Sequence, residues 1–440
     1  MTRHRIFLVL FALPVFLLAA GCGGGGGKKK AAPSGGASNV SGHLSITGVW
    51  TGDEQAHFQA VLDGFKKKYP KVTVKYTSSG DQTPTVLSTA VTGGNPPDLA
   101  SVSQPGLVKD FANKGALKPL EFARSTIEAN YSPDWVKLST INGKLYGLIF
   151  KGANKSTVWY NVQAFKTAGV SAPKTWPDLL KDAKTLKASG VPAYSIGGAD
   201  GWTLTDLFEN IYLREAGPDK YDALTNHTIK WTDPTVQQAL KTMSDVLGDT
   251  SNIAGGTAGA LQTDFPTSVS NVFQNPPKAA MIFEGDFVPG VVATSTKLKP
   301  VSGYDFFDFP SINGSQPAVV GGGDTVMMFR DTPAARALIT YLATSEAASI
   351  WAKLGGFSSP NKNVPGSAYP DEITRRSALA LAHATTFRFD LSDLEPSAFG
   401  GTVGQGEFKI FQDFLKSPKN VNGIAASLEA SAAKAYAKGK

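Results

Sequence analysis

Glu284, Asp286 and Phe287 follow an apolar stretch, residues 279–283, that reads as a strand. Side chains two apart on a strand point to one side, so both carboxyls would share a face with the phenyl ring nearby. Carboxylates accept hydrogen bonds from hydroxyls in pairs, and aromatic faces pack against apolar ring faces. That mixture suits a carbohydrate. Trp202, in the run Gly201-Trp202-Thr203-Leu204-Thr205-Asp206, follows a strand expected to end at Gly197-Gly198 and offers a second flat surface. It could equally pack into a core with Leu204 and Phe208. The same acids would also serve a glycosidase, which needs two carboxyls about 5 Å or more apart, one with a raised pKa. Spacing alone leaves both readings open, although no eightfold strand–helix repeat of a barrel glycosidase is visible.

Other chemistries find less support. The five histidines, His4, His43, His57, His227 and His383, form no His-x-His or His-x-x-x-His pair for zinc. No Gly-x-Ser-x-Gly elbow and no Gly-x-x-x-x-Gly-Lys-[Ser/Thr] loop occurs. The glycines from Gly23 to Gly27 precede Lys28, Lys29 and Lys30 but have no strand or helix to aim their amides at a phosphate. A polyamine, an anion or ferric iron remains an alternative ligand; iron would want clustered Tyr or His, and a polyamine an acid-rich cage. No cofactor or metal is expected.

The formal charge of +7 is unevenly placed. Arg3, Arg5, Lys28, Lys29 and Lys30 precede the first acid, Asp53; without these five, 38 basic side chains face 36 acidic ones. The body is therefore near neutral and carries no basic stripe for a nucleic-acid backbone. One cysteine allows no internal disulfide, so stability must come from burial. Some 400 residues, roughly, can build two cores but strain a single one.

The elements that would position these side chains alternate between strand and helix. A strand over 43–49 precedes a helix over about 53–69, whose Phe58, Val61, Leu62, Phe65 and Tyr69 recur at helical spacing. Strands over 72–76 and 98–102 and helices over 85–92 and 107–114 complete three units, which predicts an open, mostly parallel sheet. The pattern restarts with strands over 145–150 and 157–160. Helices follow from Pro177 and from Asp233-Pro234, then strands over 279–283, 304–309 and 318–329. Helices from Thr332-Pro333 and Ser345 and an amphipathic one over 421–437 finish the chain. Trp159 and Trp351 are expected in the core. The pattern predicts two α/β lobes.

At the amino terminus, Arg3 and Arg5 precede an apolar run over 6–20 that is too short to span a bilayer. Leu18-Ala19-Ala20-Gly21-Cys22 resembles the lipobox of bacterial lipoproteins, with Leu18 one position earlier than that pattern prefers. The resemblance implies a signal peptide over 1–21, acylation of Cys22 as the new amino terminus, and a flexible tether over 22–42. A diacylglyceryl group would hold the protein to the bilayer, at about 0.8 kcal/mol per buried methylene.

Several stretches in order resemble the extracellular solute-binding proteins of bacterial ABC sugar importers, the maltose-binding-like group. They are Trp50-Thr51-Gly52-Asp53-Glu54, Gly93-Gly94-Asn95-Pro96-Pro97-Asp98-Leu99, Asn142-Gly143-Lys144-Leu145-Tyr146-Gly147 and Trp159-Tyr160-Asn161. Further on come Ala279-Ala280-Met281-Ile282-Phe283-Glu284-Gly285-Asp286, Gly321-Gly322-Gly323-Asp324 and Pro333-Ala334-Ala335-Arg336. Phe387-Arg388-Phe389-Asp390-Leu391-Ser392-Asp393 is similar to a subgroup associated with α-glucosides. The resemblance implies a type II periplasmic-binding fold, two α/β lobes joined by a hinge around a ligand cleft. Its N-lobe would take 43–151 and 318–362, and its C-lobe 152–317 and 363–440, with chain crossings near 150–152 and 314–320. It also implies a non-catalytic, monomeric receptor outside the membrane that delivers a disaccharide or oligosaccharide to the permease subunits.

The resemblance places Asp53 and Glu54 at the N-lobe contacts, where Asp53 could instead cap its helix, and Ser103 and Gln104 in the next contact loop. Gln104 could instead be a turn residue. Gly322, Gly323 and Asp324 stand where the chain re-enters the N-lobe; such glycines admit close approach to a ligand or mark a bulge. Arg388 could reach a hydroxyl or pair with Asp390. Asp81 and Lys151 complete the candidates, with Trp202, Glu284, Asp286 and Phe287 on the other lobe.

Overall fold

The computed structural model describes residues 39–438, so the expected signal peptide, Cys22 and most of the tether lie outside the described residues. Its strands are β1 (Gly42–Gly48), β2 (Val72–Ser78), β3 (Leu99–Val102), β4 (Thr140–Ile141), β5 (Lys144–Leu145), β6 (Gly147–Asn154), β7 (Thr157–Asn161), β8 (Met281–Phe283), β9 (Tyr304–Asp308), β10 (Val319–Met328) and β11 (Phe387–Phe389).

The larger sheet runs β2-β1-β3-β10-β6. β1 pairs parallel with β2 and β3, while β10 runs antiparallel to both β3 and β6. β11 pairs parallel with the first residues of β10, Val319 to Gly321. Helices Gly52–Lys68 and Thr83–Thr92 make the crossovers that parallel neighbours require. The first of these buries Phe58, Val61, Leu62 and Phe65 on one stripe. It carries Asp53 and Glu54 in its first turn and Lys66, Lys67 and Lys68 in its last, the arrangement the helix dipole favours. β3 and β6 are buried along their whole length, as strands covered on both faces must be.

The smaller sheet, β8-β7-β9, is antiparallel. Tyr194 extends it through parallel bridges to Met281 and Ile253. The strand expected to end at Gly197-Gly198 is reduced to this bridge. Ser195 makes the last ladder bond, to the Met281 carbonyl, and the chain then leaves the sheet. Gly198 turns against helix Gly256–Ala260, where an added Cβ would stand 3.0 Å from the Ala260 carbonyl oxygen.

Two large apolar cores match the two sheets. The first joins Trp50, Phe58, Phe150 and Trp351, with Trp50 and Trp351 edge-on at 5.1 Å. The second gathers helices Trp202–Ala216, Pro234–Leu247 and Gly406–Lys416 and the last helix, Val421–Lys438. Trp159 and Trp351 are fully buried, as the sequence led us to expect. The chain leaves the larger sheet between Asn154 and Thr157. This is later than the expected crossing at 150–152, because β6 stays paired with β10 as far as Asn154 opposite Gly321. It returns between Asp308 and Val319. β11 joins the larger sheet, although the neighbouring Leu391 and Phe399 belong to the second core.

Candidate functional site

A cavity of about 630 Å³ opens at the carboxyl ends of β1, β2 and β3, where ligands of open α/β sheets bind. One wall comes from the turns after these strands: Asp53 and Glu54, then Asp81, then Ser103 and Gln104. Lys151 on β6 and Gly323 and Asp324 on β10 form its floor. Trp202, Phe265, Phe287 and Phe408 supply aromatic surface, and Asp200, Asp264 and Asp393 add carboxyls.

Two lysines organise the polar groups. Lys151, 5% exposed, places its ammonium 2.6 Å from Glu54 Oε1 and 3.8 Å from Asp324 Oδ2. The same ammonium lies 5.5 Å above the Phe287 ring. Asp324 accepts the Trp50 indole N–H at 2.6 Å and the Ser103 hydroxyl at 2.9 Å, which fixes both of its oxygens. Lys155 lies just beyond β6. It donates to Asp206 at 3.0 Å and to Asp390 at 2.5 Å, stands 3.9 Å from Asp393, and sits 5.7 Å over the Trp202 ring. Cations against these rings gain a favourable interaction with the aromatic quadrupole. Trp202 opens its helix and packs edge-on against Phe287 at 5.9 Å and tilted against Phe265 at 5.4 Å. It therefore belongs to the cavity's aromatic group rather than pairing with Leu204 and Phe208, which are core residues.

The carboxyls divide by environment. Burial drives Asp206 up to about 8 despite the opposing pull of Lys155, and nearby Asp390 pushes the same way. Asp390 ends below the usual carboxylate range: burial opposes this, but the Lys155 ammonium, the Ser392 hydroxyl and the Asp393 N–H outweigh it. Burial raises Asp200 to about 6, against the Phe265 N–H bound to it and with help from Asp81 and Asp264. Lys155 thus shares its charge chiefly with Asp390, while its other neighbours hold protons more readily.

Of the residues singled out in the sequence, the structure brings Asp53, Glu54, Asp81, Ser103, Gln104, Lys151, Trp202, Phe287, Gly323 and Asp324 to the cavity. Asp53 does not cap its helix; Thr51 holds the N-cap position. Glu284, Asp286, Gly322 and Arg388 stand elsewhere. Glu284 is 2% exposed, and burial, with Asp206 nearby, raises its pKa well above the usual range. Its carbonyl accepts the Thr157 hydroxyl at 2.6 Å and the Trp159 indole N–H at 3.1 Å, tying the residue to the start of the neighbouring strand β7. Asp286 accepts hydroxyl hydrogen bonds from Ser358 and Ser377, joining three chain segments beneath the cavity. The strand ends at Phe283, so the expected two-residue alternation does not carry both acids to one open face. Arg388 pairs with Asp222 at 2.6 Å rather than with Asp390. Gly322 admits a side chain of the protein itself: a Cβ there would stand 2.7 Å from Lys155 Cε. A register shift follows at Asp324, the bulge that the glycines suggested.

Lys155, Asp393, Phe265 and Phe408 escaped the sequence reading. Lys155 was detectable as the second cation of Lys151-x-x-x-Lys155, and Asp390 and Asp393 lie in a stretch already singled out. Nothing local marked Phe265 or Phe408, which reach the cavity from separate helices.

Two α/β bodies with a polar and aromatic cleft at the strand ends define a receptor of small solutes, built on the two-lobed type II periplasmic-binding fold. The chain belongs to the bacterial extracellular solute-binding protein family, whose profile matches residues 50–349. It is 35% identical over 373 residues to the osmoprotective compounds-binding protein GgtB of Synechocystis sp., covering 83% of this chain and 86% of that one. It is 34% identical over 381 residues to the alpha-glucosides-binding periplasmic protein AglE of Rhizobium meliloti, covering 83% and 81%. A solved chitin oligosaccharide binding protein shares the fold, with TM-score 0.77 and 22% identity over 90% of this chain and 99% of that one. Membership of this family sets its place of work outside the cytoplasm. No helix among the described residues is long and apolar enough to cross a membrane.

Proposed function

We propose that the protein is the solute-capturing component of an ABC importer, that its ligand is a neutral carbohydrate of the α-glucoside class, and that it delivers this ligand to permease subunits. The observation that carries the reading is the cavity itself, where Asp53, Glu54, Asp81 and Asp324 face Trp202 and Phe287. Fixed acceptors suit sugar hydroxyls, and the rings suit pyranose faces. The name of AglE, matched along most of its length, supports the same class. Monomeric action and anchoring through acylated Cys22 complete the proposal.

The placement of Glu284 and Asp286 favours capture over hydrolysis. Neither lines the cavity, and Asp286 is held by two serine hydroxyls, so the pair does not flank a space for a glycosidic bond. Micromolar affinity, about −8 kcal/mol, is within reach of a few hydrogen bonds and one or two stacked rings. Calorimetry with trehalose, sucrose and maltose tests the reading. At least one should bind and be recovered unhydrolysed; binding by none, or release of glucose, would overturn it. Trp202→Ala should weaken that binding at least tenfold while the unliganded protein stays folded.

A further inference from the structure

Away from the cleft, four lysines stand within six residues: Lys66, Lys67 and Lys68 in the last turn of helix Gly52–Lys68, then Lys71 after Tyr69 and Pro70. All four are exposed, and no acid interrupts them. Without them the folded body would carry 34 basic side chains against 36 acidic ones. Its positive surplus is therefore gathered at this one place.

Folding does not use up that charge. A helix carboxyl end carries about half a negative charge, which a single lysine answers. Lys68 also pairs with Glu346 at 2.5 Å. Among the described residues, Lys66, Lys67 and Lys71 make no ion pair, and Lys71 lies past the end of the helix. Asp63, the acid one turn earlier, is engaged by the Gln59 amide at 3.0 Å.

The position of the lysines in the fold points to what they face. β1 begins at Gly42, where the expected tether joins the described fold, and it lies in parallel register with β2, Gly42 opposite Val72. The Gly42 N–H donates to the Lys71 carbonyl at 3.2 Å. The chain thus enters the larger sheet beside the lysines. The cleft is at the other end of the same helix, where Asp53 and Glu54 line the cavity. Seventeen helical residues separate the two ends by about 25 Å.

We propose that Lys66, Lys67, Lys68 and Lys71 form a docking surface for anionic lipid headgroups, which holds the body end-on at the bilayer with its cleft turned outward. Charge complementarity and the neighbouring tether entry both favour a lipid surface as the occupant. Each lysine near such a surface adds a modest attraction that salt screens, so the hold is reversible and the body can leave it to deliver its ligand. The surface adds to the proposed anchoring and depends neither on acylation nor on which sugar binds.

Vesicle flotation tests it with residues 39–440, which form one compact unit and lack the apolar run over 6–20. The wild-type body should float with vesicles of about 30% phosphatidylglycerol in phosphatidylcholine, and not with phosphatidylcholine alone. Raising salt from about 0.05 to about 0.5 M should release it. Lys66→Gln, Lys67→Gln and Lys71→Gln together should lower the partition coefficient at least tenfold at an unchanged melting temperature. Lys181→Gln with Lys184→Gln, exposed on the other half of the molecule, should leave it within twofold. No flotation of the wild type, equal flotation on neutral vesicles, or equal losses in the two variants would overturn the docking surface. Each of these outcomes leaves sugar capture, read separately by calorimetry, untouched.

Discussion

Lys155 stands against Asp206, Asp390 and Asp393 with a single positive charge, so only part of that carboxyl set can be ionised at once. Asp390 takes the charge because Ser392 and the Asp393 N–H also donate to it. Burial raises both of the others, Asp393 and Asp206, and takes Asp206 to about 8. Its pKa rises from 3.8 to about 8 on folding, so between these values the folded chain binds more protons than the unfolded one. The stabilisation is complete below the lower value and is lost as pH rises through the upper one. Asp206→Asn should therefore gain stability relative to wild type between pH 5 and pH 8, by on the order of 1 kcal/mol per pH unit. Urea unfolding of both proteins across that range measures it, and parallel pH profiles would refute the assignment.

At the scale of elements, β10 is the member that lets both lysines reach the site. Its glycines leave room on either side: the Phe387 ring against Gly321, the Lys155 side chain against Gly322, and the Lys151 carbonyl against Gly323. The glycine run was legible in the sequence as a place of close approach. What approaches was not, because the neighbours come from β6 and β11, remote along the chain. A Cβ on Gly323 would stand 2.7 Å from the Lys151 carbonyl oxygen, a backbone atom held in the sheet. Gly323→Ala should cost roughly 1–3 kcal/mol through overpacking, seen as a lower urea midpoint with an unchanged slope. An unchanged midpoint would show that β6 and β10 separate at little cost.

For the whole molecule, two cores meet along a cleft whose lining comes from β-strand turns on one side and helices Trp202–Ala216 and Phe265–Phe273 on the other. A ligand touching both sides favours the folded, closed arrangement and nothing in the unfolded chain. A binding sugar at one hundred times its Kd should therefore add about 2.7 kcal/mol to the unfolding free energy. Unfolding at graded sugar concentrations tests this. Stabilisation well below that value at saturation would mean that the sugar also binds the unfolded chain or a partly opened one.

The sequence by itself determined the alternation of strand and helix, the two-lobed class, the buried Trp159 and Trp351, and the turns that carry Asp53, Glu54, Ser103 and Gln104 to the cavity. The elements and lobes follow from local periodicity; the four turn residues were placed by the resemblance to solute-binding proteins, whose sites lie at the carboxyl edge of the sheet. Only the tertiary structure decided that Glu284 and Asp286 turn inward, that Arg388 pairs with Asp222, and that Lys155 joins Asp206, Asp390 and Asp393. The reason is physical: a side chain's charge state and hydrogen-bond partners depend on neighbours hundreds of residues away, whereas a helix or strand is encoded within a few turns of itself.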